Sequence, residues 1–316
     1  MNILLTTRLP QQGFARLKRH NIIIPQTAFF TEQELLAHAQ SCDILVPTFD
    51  YKIGKETILS MPNLKLIANF GAGYNNVDIA TAKQQGIIVT NTPQPVVEPT
   101  AELAFALMIS ISKRLAELDR KLRTTNDIIF GVMNNLGTSL RGKTLGIIGM
   151  GRIGTSLALK AKAFGMNIIY HNRHKVNTDI EKELNAQYVS LEHLLSTADF
   201  VSLNLPYTPQ VRHLINKETL SLMKSNAILI NTARGAIVDE KALIDALQDK
   251  RIQAAALDVY EFEPHISEQL LTLDNVLLAP HIGTCTIEGR LDMCDNICDN
   301  IEAFIARQPE KMNIVN

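Results

Sequence analysis

The sequence predicts an α/β protein built on doubly wound parallel sheets, and three observations carry that reading. Short β-branched runs alternate with helix-patterned stretches across roughly the first hundred residues. The same alternation restarts at Thr144 and runs to His281. At the restart the apolar run TLGII is followed at once by Gly149-Met150-Gly151-Arg152-Ile153-Gly154 and then by the helical run TSLALKAKAF. Strand, glycine turn and helix in that order open a parallel βαβ unit.

In the first alternation the strand candidates are NILLTT, NIIIP, DILVPTF, LKLIANF and GIIVTN, separated by stretches such as TEQELLAHAQ. Thr31 and Glu34 stand at capping-box spacing, so a helix starts there, and Gly86 sits where a helix would end before GIIVTN. From Thr100, TAELAFALMISISKRLAELDRKLR reads as one long helix, apolar first and then charged. The strandless, Gly- and Asn-containing stretch 124–143 then reads as a domain boundary. The second alternation continues through MNIIYH, AQYVS, DFVSLNLP, AILINTA, IQAAALDVY and NVLLAPH. A last helical pattern, from about Ile287 to Arg307, has no strand after it and can pack back on the first domain.

A chain of 316 residues is long enough for about two domains, each with its own core. Its 31 Lys+Arg against 32 Asp+Glu, with no basic block, give no electrostatic footprint for nucleic acid or an anionic membrane, so a small-molecule partner is expected. The opening MNILLTTRLP lacks a basic n-region, and no apolar run approaches the roughly 20 residues of a membrane span; the expected location is cytoplasmic. The cysteines, 42, 285, 294 and 298, contain no C-x-x-C pair, and Cys294 and Cys298 read as helix-face packing rather than a metal site.

The glycine turn has a chemical reading. Gly149 must turn tightly, Gly151 must let backbone approach a pyrophosphate, and Gly154 must let helix and strand pack closely. The helix N-terminus beginning at Arg152 and Ile153 then offers N–H groups and a partial positive charge to phosphates, so NAD or NADP is the expected cofactor. The next strand would end in an acidic residue for the adenosine ribose. Here position 172 is Asn, followed by Arg173, His174 and Lys175. Loss of the carboxylate removes repulsion of a 2'-phosphate and the cations can hold one, which predicts a preference for NADPH or dual use. The plain alternative is a solvated basic turn that still accepts NADH.

Three titratable residues stand at or just after strand ends, where open α/β sheets place their sites. Arg234 follows AILINTA, Glu263 follows ALDVY, and His281 follows NVLLAP. A keto acid accepting a hydride needs a proton at its oxygen and a cation near its carboxylate and carbonyl; His281 and Arg234 have those properties. Glu263 beside the imidazole would stabilise its protonated form. Singly, each has a bland reading: a surface ion pair for Arg234, a turn residue before Pro264, a capped core histidine.

Taken together the motifs change that balance. The stretches NFGAGYNNVD, TAELAFALM, GKTLGIIGMGRIG, NLPYTPQVRHLI, NTARGAIVDEKAL, AALDVYEFEP and NVLLAPHIGT, in this order and spacing, make the chain resemble the D-isomer-specific 2-hydroxyacid dehydrogenase family over nearly its whole length. The resemblance implies that Arg234 orients the substrate, His281 donates the proton and Glu263 pairs with it. It also implies that Asp258 contacts the nicotinamide amide, that Leu205, Pro206 and Thr232 line the cofactor cleft, and that Ala72 and Gly73 bind the substrate carboxylate through backbone N–H groups. The implied architecture is two Rossmann-like or flavodoxin-like domains with the substrate in an interdomain cleft. The substrate domain would be 1–98 with 287–316, the dinucleotide domain 99–286, and the assembly a homodimer. Asn172 departs from the family's acidic residue, and the loop before GKTLGIIG, which contributes to the dimer contact in relatives, offers Phe130 and Leu136 where the family often has Trp. A reductase of glyoxylate or hydroxypyruvate is the expected type. The alternatives are a dehydrogenase of D-3-phosphoglycerate or another bulkier 2-hydroxy acid, and an NAD(H)-sensing, corepressor-like module.

Overall fold

The computed structural model describes residues 1–125 and 128–316. Asn126 and Asp127, in the stretch read as a boundary, lie outside the described residues. The chain divides into two compact units, Met1–Pro99 with Thr284–Asn316, and Thr100–Gly283.

The first unit holds β1 (Asn2–Leu5), β2 (Asn21–Ile23), β3 (Ile44–Val46), β4 (Leu66–Ala68) and β5 (Ile88–Thr90), in the order β2-β1-β3-β4-β5. Every pair is parallel. β3 and β4 are buried at every position, which is why their sequences are unbroken apolar runs rather than alternating ones. The helix Ile287–Ile305 packs on the 3-10 segment Gln11–Leu17. Gly13 permits the approach: a Cβ there would lie 2.4 Å from the Cys294 Cβ. Cys298 donates to the Gly13 carbonyl at 3.3 Å. Burial pushes the thiols of Cys294 and Cys298 up to about 12, so both act as packing groups. Residues 313–316 run antiparallel along β5, with Thr90 bridged to Ile314 and Val315 N–H donating to Val89 O at 2.9 Å.

The second unit holds β6 (Thr144–Ile148), β7 (Asn167–His171), β8 (Ala186–Tyr188), β9 (Phe200–Leu203), β10 (Ile228–Asn231), β11 (Ala254–Leu257) and β12 (Val276–Leu278). Their order is β12-β11-β10-β9-β6-β7-β8, again all parallel. The winding reverses between β6 and β9, the switch point at whose strand ends open α/β sheets place their ligands. Helices cover both faces. Ile228 and Ile230 face one core with Leu157 and Tyr170, while Leu229 between them faces another with Leu194 and Leu243.

The expected single helix from Thr100 is two helices, Val97–Ser112 and Leu115–Thr124, with Arg114 left-handed at φ +57° between them. A tertiary hydrogen bond makes the break: Thr138 N–H donates to Ser112 O at 2.7 Å. Gly137 passes so close that a Cβ would sit 2.5 Å from that oxygen. Arg114 then closes a two-bond fork on Glu117, whose carboxyl is held down to about 2 chiefly by that guanidinium. The helical periodicity continues across the break, so local sequence carries no sign of it. Among the described residues, no helix is long and apolar enough to cross a membrane, and no cluster of three His, Cys, Asp or Glu could hold a metal.

Candidate active site

In the second unit β6 ends at Ile148, paired with Leu203 of β9 and His171 of β7. Gly149 then turns at φ +96°, and a Cβ on it would lie 2.7 Å from Leu205 N and 2.8 Å from the Asn204 carbonyl carbon. Only glycine fits there. Gly154 is buried, with a notional Cβ 2.6 Å from Gly149 O, so the helix Arg152–Ala163 sits directly on the turn. Gly151 is the contrast: a Cβ there would meet nothing within 4 Å. No side chain caps that helix, so its first N–H groups are left for a ligand. Arg152 is exposed and Ile153 packs on the core.

Asn172 has a role that the sequence did not reveal. Its Oδ1 accepts from Met150 N–H at 2.6 Å and its Nδ2 reaches Met150 O at 3.4 Å, tying the end of β7 to the glycine turn. Arg173 and His174 are exposed, and Lys175 lies 5.4 Å from the centre of the Tyr188 ring. At the ends of β9 and β10 two buried polar atoms, Asn204 Oδ1 and Thr232 Oγ1, have no partner within the described residues. Buried polar atoms without partners are costly and point to a polar ligand. Leu205 packs on the core beside them and Pro206 is exposed. An open glycine cradle, an uncapped helix start and two orphaned polar atoms fit a dinucleotide. Asn204 was passed over in the sequence, where its one signal is a polar residue ending an apolar strand.

The titratable set is built on β10, β11 and β12. Past β10, Asn231 accepts from Ala233 N–H at 3.0 Å and donates to Arg234 O at 3.1 Å, which shapes the turn carrying Arg234. Gly235 lies against the main chain of Tyr260, where a Cβ would fall 1.8 Å from the Tyr260 carbonyl carbon. That crossing brings Arg234 into the field of Glu263. Burial lowers the Arg234 pKa while the carboxylate opposes the shift. Arg234 Nη1 also donates to Ala233 O at 2.7 Å.

Past β11, Asp258 is 1% exposed. Its two oxygens accept from Ile282 N–H at 2.7 Å and Gly283 N–H at 2.9 Å, and its carbonyl accepts from His281 N–H at 2.8 Å. Asp258 therefore braces the turn that holds His281, itself at φ +54°. Burial pushes the Asp258 carboxyl up, against the pull of those N–H bonds and of His281. The His281 Nδ1 meets Glu263 Oε2 at 2.8 Å, and Glu263 Oε1 accepts from Tyr260 N–H at 2.9 Å. Burial pushes the Glu263 carboxyl up, but the bond and charge of His281, the Tyr260 N–H and Arg234 together bring it below its ordinary value.

Sequence reasoning also missed what lies behind this turn. Glu240 accepts from Glu261 N–H at 3.1 Å, Glu261 accepts from Glu240 N–H at 3.2 Å, and His213 Nε2 meets Glu261 Oε1 at 2.6 Å. Burial pushes the Glu240 carboxyl up. The only local signal was the acidic pair in IVDE. In the first unit Ala72 and Gly73 follow β4, and among the described residues neither N–H has an acceptor in the chain.

The family model for the D-isomer specific 2-hydroxyacid dehydrogenase, NAD binding domain, matches residues 105–283, more than half of the chain. The chain belongs to the D-isomer specific 2-hydroxyacid dehydrogenases. This dehydrogenase is therefore an oxidoreductase that works with a nicotinamide cofactor. It is 45% identical over 286 residues to a glyoxylate reductase of Thermococcus litoralis, covering 89% of this chain and 86% of that one. Among solved structures it is similar to an NADPH-dependent glyoxylate/hydroxypyruvate reductase of Sinorhizobium meliloti in complex with NADP and malonate. There the TM-score is 0.83 at 31% identity, covering 96% of this chain and 93% of that one. It is also similar to D-lactate dehydrogenase of Aquifex aeolicus complexed with NAD and lactic acid, with a TM-score of 0.85 at 29% identity, covering 100% and 99%.

Proposed function

We propose that this dehydrogenase reduces a small 2-oxo acid of the glyoxylate or hydroxypyruvate type to the D-2-hydroxy acid, with His281 as proton donor. The observation that carries the reading is the 2.8 Å bond between His281 and Glu263, within the field of Arg234. The names of the Thermococcus litoralis and Sinorhizobium meliloti relatives support the substrate type.

A bound nicotinamide cofactor supplies the hydride to the carbonyl carbon. The oxygen then gains negative charge and needs a proton, which His281 donates. Glu263, with its carboxyl held below the ordinary value, stays ionised and fixes the ring through Nδ1. Arg234 offers a planar fork to an acid's carboxylate and carbonyl oxygen. In the first unit the N–H groups of Ala72 and Gly73 are suited to a substrate carboxylate. Asp258 has lone pairs left beyond its two backbone bonds, so it can also accept from the carboxamide, with Thr232, Leu205 and Pro206 lining that end. The absence of a carboxylate at Asn172 and the exposed Arg173 and His174 support a preference for NADPH, or dual use.

The test is initial-rate kinetics on a panel of 2-oxo acids led by glyoxylate and hydroxypyruvate, with NADPH and NADH in parallel. One of the two leading acids should turn over fast, and His281→Ala should lower kcat by about a hundredfold to ten-thousandfold while leaving cofactor affinity unchanged. Full activity in that variant would end the proton-donor assignment. A kcat/KM about tenfold higher with NADH would end the cofactor preference.

A further inference from the structure

Three successive carbonyls in the loop after β4 are each taken by a donor from the first unit. Thr92 N–H reaches Gly71 O at 3.0 Å, Asn91 Nδ2 reaches Ala72 O at 2.8 Å, and Asn69 Nδ2 reaches Gly73 O at 2.9 Å. These peptides are trans, so each carbonyl points opposite to the N–H of the residue that follows it. Fixing the three carbonyls therefore aims the N–H groups of Ala72, Gly73 and Tyr74 the other way. Among the described residues none of the three has an acceptor in the chain. The loop therefore offers backbone N–H groups to an anion, and side-chain amides fix two of its three peptides.

Asn91 is itself held by a closed ring of three asparagines. Its N–H donates to Asn313 O at 3.2 Å, Asn313 N–H donates to Asn300 Oδ1 at 2.8 Å, and Asn300 Nδ2 donates back to Asn91 O at 3.2 Å. Asn300 is fully buried on the helix Ile287–Ile305, 209 residues from Asn91 in sequence. A second side chain works in parallel: Asn69, also fully buried, accepts from Asn76 Nδ2 at 3.0 Å. A polar side chain wholly out of water in a satisfied network fixes geometry more than it adds stability.

We infer that Asn91 is a positioning residue for the substrate carboxylate: its amide turns the Ala72–Gly73 peptide so that Gly73 N–H faces the anion, and Asn300 with Asn313 fixes Asn91. The inference rests on the proposed reading of this loop as the carboxylate site. Bonds from N–H to an anion are strong but weaken steeply once the angle falls, so a rotated peptide loses affinity without touching the proton donor.

The experiment compares wild type with Asn91→Ala and Asn300→Asp, using the 2-oxo acid that the wild type turns over best and oxamate as a competitive carboxylate probe. Asn91→Ala should raise the acid's KM and the oxamate inhibition constant about tenfold, with kcat within about twofold and cofactor affinity unchanged. Asn300→Asp keeps the acceptor for Asn313 but loses the amide donor to the carbonyls of Asn91 and Asn296, and should raise both about threefold. The double variant should be no worse than Asn91→Ala alone, because Asn300 acts through Asn91. A merely structural role would instead lower kcat and cofactor affinity together with the acid's affinity, and that result overturns the inference. If Asn91→Ala fails to fold, Asn300→Asp decides, an unchanged KM there being the overturning result. An active wild type with unchanged KM in both variants overturns this inference alone. A wild type inactive on every 2-oxo acid overturns the functional reading and the inference with it.

Discussion

The turn after β6 and the loop after β4 both present backbone N–H groups, but space shapes the first and side-chain amides shape the second. At Gly149 a side chain would run into the main chain of Asn204 and Leu205; at Gly71 a Cβ would find Gly73 O at 3.4 Å, an ordinary contact. Among the described residues the turn after β6 has one side-chain tie, from Asn172, whereas Asn69 and Asn91 hold two successive carbonyls of the other. A feature specified by steric space must spell itself in glycines at fixed spacing. One specified by side-chain amides need not.

The largest effect that sharpens this contrast is expected at Gly149. Gly149→Ala adds left-handed strain to a backbone collision, and cofactor affinity by fluorescence titration should fall at least about a hundredfold, or the chain should lose its thermal transition. Wild-type affinity in that variant would remove the steric half of the comparison. Asn172→Ala deletes only the tie to Met150, so affinity should fall about tenfold. The loss should be equal for NADH and NADPH, since the amide acts on the turn; a loss confined to one cofactor would place Asn172 at the ribose instead. The smallest effect is expected at Gly71, where alanine should change the acid's KM by less than about twofold. A rise of about tenfold there would mean that the loop after β4, too, is set by steric space.

The same division runs through what could be read in advance. Most of the described strands are apolar runs and the glycine motif is contiguous, so the sheets and the glycine turn were visible in the sequence. Arg234, Glu263 and His281 could be found only as a set, because each alone looks like an ordinary turn residue. What escaped depends on chain segments meeting across long separations. The Thr138 bond that splits the long helix, the Gly235 crossing of Tyr260 and the mutual bonds of Glu240 and Glu261 leave no periodicity behind. Asn91 and Asn300 are of this kind, each an unremarked polar residue until the fold sets them side by side.

Residues 313–316 have one more consequence. β5 is the outermost strand of its sheet, and a bare outermost strand offers its unpaired backbone groups as a template on which another chain can add. The antiparallel pairing at Thr90 and Val89 occupies that template. Asn313, whose carbonyl holds Asn91, belongs to the same short piece of chain that covers this edge, and removal of that piece would leave the Val89 N–H and carbonyl without these partners.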